Sequence, residues 1–110
     1  MQPIAASLIL AWLSIHGYDK VHADAVALYL HRESGFEPCV ENRTGHYIAQ
    51  WVGVRLRELS SFAGVAGCPR WEVQMEFLNK ELRSGRYERF WRARRNVYAI
   101  LRRTFGEGKR

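Results

Sequence analysis

The sequence predicts an all-α fold, or an α+β fold with one minor hairpin. Apolar residues recur at helical spacing in five segments, and Gly or Pro stands at the breaks between them. Only residues 36–48, FEPCVENRTGHYI, resist the helical pattern. A chain of 110 residues with 47% hydrophobic and 13% aromatic side chains is enough for one domain, 1–110, with its own core.

The first helix is expected over residues 3–16, with Ile4, Leu8, Trp12 and Ile15 on one face. Pro3 suits its opening position and Gly17 its end. Asp19 is a natural N-cap for a second helix that sets Val21, Ala25, Leu28 and Tyr29 on one side and runs to Ser34, where Gly35 stops it. Pro38 and the Asn-Arg-Thr-Gly cluster then favour turns, which predicts an irregular hairpin at about residues 38–48. Residues 53–63 place Leu56, Leu59 and Phe62 together. Residues 69–83 open with Pro69 and align Trp71, Met75, Leu78 and Leu82. From Tyr87 a single basic helix is expected, with Phe90, Trp91, Arg94, Val97, Tyr98, Leu101 and Phe105 in one stripe and Gly106 at its end.

The formal net charge is +6, and it is unevenly spread. Residues 83–110 hold ten Arg or Lys against two Glu, whereas residues 1–82 hold seven against nine acidic side chains. The basic C-terminal helix and tail, 85–110, form a solvated face or steer the chain toward an anionic partner: nucleic acid, a membrane surface or bacterial wall polymer. No stretch reaches the ~20 apolar residues of a membrane-spanning helix. The run MQPIAASLILAWLSIHG followed by VHADA has the outline of a secretory segment, but no Lys or Arg precedes it, and it reads as a first core helix. His16, His22, His31 and His46 lack metal-ligand spacing, and a Gly-rich phosphate loop is absent, so neither a metal nor a cofactor is expected. Cys39 and Cys68 are either two reduced thiols or a bridge that closes a loop of about thirty residues, worth ~3–4 kcal/mol by chain entropy.

Glu33 ends the second helix in YLHRESGFEP. The negative end of the helix macrodipole disfavours an ionised carboxylate there by ~0.3–1 kcal/mol. A carboxylate set among apolar neighbours can keep its proton near neutral pH and give it to a glycosidic oxygen. The run Glu33-Ser34-Gly35-Phe36-x-Pro38 is followed by Gly45-x-Tyr47-Ile48-Ala49-Gln50-Trp51, with seventeen residues from Glu33 to Gln50. Together they resemble the lysozyme-like superfamily, in its branch of phage tail lysozymes, soluble lytic transglycosylases and goose-type lysozymes. In these families an E-S-x-F-x-P run carries the catalytic glutamate and a G-L-x-Q run follows at similar spacing. The later Trp71-x-x-Gln74-x-x-Phe77-Leu78-x-x-Glu81-Leu82 resembles the phage tail branch, and the similarity covers about residues 20–85.

The resemblance implies a small lysozyme-like helical domain that cleaves the β-1,4 bond between N-acetylmuramic acid and N-acetylglucosamine, as a muramidase or a lytic transglycosylase. Glu33 would be the general acid and then the base. Ser34 would bond near the reacting sugar, and Gln50 would touch the substrate across the cleft. Tyr47, where the family pattern has Gly, would narrow the cleft or stack on a sugar, and Trp51 would offer a sugar platform. Hydrolysis needs a second carboxylate, ~6.5–9.5 Å away for inversion or ~5–5.5 Å for retention. Glu37 and Glu41 are the choices, and Glu41 is the better because the hairpin can fold it back, with Thr44 to position a water. Without one, the muramic acid 6-hydroxyl completes the reaction and leaves an anhydro product. The expected partner is peptidoglycan, and the expected place is the bacterial envelope, the periplasm or a phage particle. The alternatives are a non-enzymatic basic module binding nucleic acid through residues 83–110, and an inactive wall-binding domain of the same fold.

Overall fold

Asp19 caps a long helix, Lys20–Ser34: its carboxylate accepts from the His22 backbone N–H at 3.0 Å. The computed structural model describes residues 2–108. Its elements are α1 (Ala6–Ile15), α2 (Lys20–Ser34), β1 (Glu41–Asn42), β2 (Gly45–His46), α3 (Gly53–Ala63), α4 (Trp71–Leu82), α5 (Glu88–Arg92) and α6 (Val97–Gly108). The chain is thus mostly helical, with one two-stranded antiparallel hairpin that pairs Glu41 with His46 and Asn42 with Gly45. Among the described residues no helix is long and apolar enough to cross a membrane.

The α2 helix lies against α1 and α6, and α3 packs on α4. Leu30, Trp51, Leu59, Met75, Leu78, Phe90, Leu101 and Phe105 are all fully buried in one shared core. Burying a side chain of this size contributes ~1.5–3 kcal/mol, so this core outweighs any single polar contact in the fold. A disulfide joins Cys39 to Cys68, with Cα atoms 5.6 Å apart, and fastens the segment after α2 to the approach of α4.

The hairpin depends on a close approach that only glycine allows. Gly45 has φ +148°, and a Cβ there would lie 2.4 Å from the Gln50 carbonyl oxygen. Beside it, His46 and Trp51 exchange two backbone hydrogen bonds, of 3.0 and 2.9 Å, and so fold the segment back on itself.

Several expectations about the helices need correction. The α1 helix starts after Pro3, at Ala6, and it buries Ile9 and Leu13, while Leu8 and Ile15 are 52% and 80% exposed. This run is apolar on nearly every side, so its periodicity cannot select the inward face. In α2, Ala25 and Tyr29 are buried as expected but Val21 and Leu28 are exposed, and His22 turns inward instead. Phe62 of α3 also keeps an exposed flank, and α4 begins at Trp71, after Pro69.

The last correction concerns the C-terminal helix, which is two helices. Ala93 leaves the helical region at ψ 143° and Asn96 takes the left-handed conformation at φ +56°. The Trp91 indole N–H donates to the Leu82 carbonyl at 2.6 Å and His22 Nε2 bonds the Phe90 carbonyl at 2.9 Å, which fix α5 in its own direction. Arg94 therefore falls in an exposed link, not on the apolar stripe, and α6 continues through Gly106 to Gly108. Of the basic tail, Lys109 and Arg110 lie outside the described residues.

Candidate active site

Glu33 is the penultimate residue of α2, half-buried, where helix gives way to irregular chain. Gly35 ends the helix in the left-handed conformation at φ +63°, with its N–H on the His31 carbonyl at 2.8 Å. Phe36 follows at φ +65° and is buried, a strained pair of turns that points the chain sharply away from α2. The Ile4 N–H bonds the Phe36 carbonyl at 2.8 Å and holds that bend to the entry of α1.

Tyr29 lies one turn before Glu33 on the same face of α2, near enough for the Glu33 charge to act on its phenol. Burial, and then the Glu33 charge, push the Tyr29 phenol well above the usual tyrosine range, so it remains a proton donor. Its ring stacks on Phe105 of α6, with centroids 4.6 Å apart and planes 24° from parallel.

Behind Tyr29 lies a charged pair. Arg55 of α3, 8% exposed, donates from Nε and Nη2 to the two oxygens of Glu81 on α4, at 2.7 and 2.8 Å. Trp51 Nε1 donates to the same carboxylate at 2.9 Å. Burial by itself would lower the Arg55 pKa, but the hydrogen bonds and charge of Glu81 more than reverse this and raise it. The Arg55 guanidinium also lies over the Phe105 ring, 4.7 Å from its centre, where the ring face offsets part of the lost hydration. A cavity of about 160 Å³ opens beside this pair, between Lys80, Ser84, Arg86 and Tyr87.

The structure brings some of the expected site residues together and redirects others. Ser34 Oγ lies 2.7 Å from the Ile48 carbonyl oxygen and 3.0 Å from that of Leu30, so its one proton is committed to main chain. Its place is next to Glu33, as a clamp between α2 and the segment after the hairpin. Gln50 and Trp51 are both 0% exposed, which contradicts direct sugar contact by either. Gln50 Nε2 donates to the Tyr47 carbonyl at 2.9 Å, and its Oε1 lies 2.7 Å from Thr44 Oγ1, so it is a brace within the hairpin. Tyr47, buried except for its edge, adopts φ +72°. Desolvation, and then the Glu41 charge, raise its phenol pKa. Glu41 is exposed on β1 and pairs with His46 Nδ1 across the hairpin at 3.2 Å.

Sequence reasoning gave no role of their own to Gln74, Arg55 and the Tyr29 hydroxyl. Gln74, fully buried, accepts from the Ile48 N–H at 2.9 Å and donates to the Pro38 and Pro69 carbonyls at 2.8 and 2.9 Å, tying both ends of the hairpin segment to α4. Its polar side chain one place before Met75 of the apolar stripe was the available signal. Among the described residues no group of three or more His, Cys, Asp or Glu side chains is arranged to hold a metal ion. No protein-family model, curated protein or solved structure matches this chain.

Proposed function

We propose that the chain cleaves the β-1,4 bond between N-acetylmuramic acid and N-acetylglucosamine in peptidoglycan, with Glu33 as the general acid. The observation that carries this reading is the setting of Glu33: a half-buried carboxylate at the end of α2, beside Ser34, which bonds the Ile48 main chain, and one turn from the buried Tyr29. A carboxyl group fixed between a helical body and a hairpin lobe is in the right kind of place to meet a sugar chain lying between the two.

The route we favour uses one carboxyl group. Glu33 gives its proton to the glycosidic oxygen as the bond from muramic acid C1 to that oxygen breaks. The muramic acid 6-hydroxyl oxygen then bonds to C1 and returns its proton to Glu33, which leaves a 1,6-anhydro end. The pairing of Glu41 with His46 favours this over hydrolysis, because it engages the better of the two second carboxylates elsewhere. The envelope or a phage particle is the fitting location for such chemistry, and the arginines of residues 83–106 are suited to approach toward an anionic wall. Base stacking by this region is disfavoured, since Phe90 and Phe105 are buried.

Digestion of purified sacculi by the wild type and by Glu33→Gln, with the released muropeptides weighed by mass spectrometry, tests the reading. Wild type should release products lighter by one water than the hydrolytic ones, and Glu33→Gln should release none above background. Equal release by the variant would refute the role of Glu33, and release of reducing ends would refute the single-carboxyl route.

A further inference from the structure

We infer that the cavity between α3, α4 and the turn before α5 is a binding site for a small carboxylate, a role independent of the function proposed above. Its volume is about 160 Å³, close to that of the ~150 Å³ cavities that admit a benzene ring, so a carboxylate on a short apolar stem is of the right size. The lining carries three cations, Arg55, Lys80 and Arg86, against two carboxylates, Glu58 and Glu81. Arg55 and Glu81 are bound to each other, which leaves Lys80 and Arg86 against Glu58 and a surplus of one positive charge. A monoanion matches that surplus, whereas a phosphate dianion exceeds it.

These positive groups are available to a ligand. Among the described residues neither Lys80 nor Arg86 forms an ion pair, and Lys80 lies instead over the Phe62 ring, 5.4 Å from its centre. Arg55, 8% exposed, keeps a third guanidinium nitrogen, Nη1, buried without a hydrogen-bond partner among the described residues, so Glu81 compensates its charge only in part. A carboxylate in the adjoining cavity sets a second negative charge beside this guanidinium and takes charge-assisted hydrogen bonds from Lys80 and Arg86. Burial raises the Tyr87 pKa, so this lining residue also keeps its phenol proton at neutral pH. The hollow continues along the same two helices past Val54 and Phe62, which are 60% and 41% exposed, and Phe77 lines both parts. That apolar strip receives the carbon stem of the ligand while the cations hold its charged end.

The test titrates sodium benzoate into the nitrogen-15-labelled chain at constant ionic strength and follows the backbone amides and the Arg55 Nε–H by NMR. The wild type should show saturable changes confined to residues 54–62 and 77–87 and to Arg55 Nε–H, with a Kd of about 1–10 mM. Lys80→Gln combined with Arg86→Gln removes two exposed side chains and leaves the core intact, and should weaken binding ~10-fold. Glu58→Gln adds to the positive surplus and should tighten binding ~3-fold, a gain that misfolding cannot mimic. Inorganic phosphate should bind less tightly than benzoate. Equal affinity of the wild type and the double variant overturns the site, and so do changes that grow linearly with benzoate or spread over the exposed arginines of α5 and α6. Phosphate binding tighter than that of benzoate overturns the assignment to a carboxylate. The readout is binding, so a wild type that releases no muropeptides refutes only the peptidoglycan reading, and a wild type that binds no benzoate refutes only this site.

Discussion

Arg55 grips both oxygens of Glu81 with two of its guanidinium nitrogens, at 2.7 and 2.8 Å, while the third, Nη1, is buried without a hydrogen-bond partner. Two charges removed from water in this way depend on each other. Deleting one leaves the other buried and uncompensated, at a cost of ~3–5 kcal/mol, whereas replacing both with well-fitting apolar groups is often neutral. Glu81→Gln should therefore lose about 3 kcal/mol or more in urea denaturation, with Trp51 still able to donate to the new amide oxygen. The double variant Arg55→Met, Glu81→Leu should recover much of that loss. A loss below ~1 kcal/mol for Glu81→Gln would mean that the pair is better hydrated than its burial indicates.

Acid should weaken the first turn of α2. The Asp19 carboxyl has its pKa lowered, first by the His22 backbone N–H, then by the His22 side chain, with the charges of His22 and Arg94 adding to this. A depressed folded pKa means that the contribution to stability is complete above the unfolded value of about 3.9 and disappears as the pH falls through the lower folded value. Asp19→Asn retains the capping oxygen but cannot titrate. The Tm of the variant should decline less steeply than that of wild type below about pH 4. Parallel Tm curves for the two proteins in that range would show that Asp19 contributes no pH dependence.

The parts of this architecture that were legible in the sequence are those fixed by neighbours in the chain. Asp19 and Gly35 bound α2 because capping and a left-handed turn are local requirements, and the hairpin around Gly45 announces itself through its turn residues. Residues 53–63 emerge as α3 with the expected bounds for the same reason. The break at Ala93 was not legible, since it follows from bonds made by Trp91 and His22 to distant carbonyls. The inward face of α1 was hidden by an apolar surplus. Within the candidate site the motif singled out Glu33 by its sequence, and it assigned sugar contacts to Gln50 and Trp51, two side chains that the fold uses as internal braces. Arg55 and Glu81 are twenty-six residues apart, and nothing local to either announces the other.

If the chain acts on peptidoglycan as proposed, the exposed arginines of α5, the 93–96 link and α6 should set how it reaches the wall. Arg92, Arg95 and Arg102 all lie exposed, and Arg92 meets Glu88 at 4.0 Å in a loose, exposed pair. Such charges contribute little to stability but raise the rate of encounter with an anionic polymer, and the effect fades as the Debye length falls from about 10 Å at 0.1 M salt to about 3 Å at 1 M. Initial rates of sacculus lysis should therefore fall as salt rises, with the loss in kcat/KM at unchanged kcat. Reversing Arg92, Arg95 and Arg102 to Glu should reproduce the high-salt rate already at low salt and flatten the salt dependence, with little change in Tm. Lysis insensitive to both salt and charge reversal would assign these arginines to ordinary solvation of the surface.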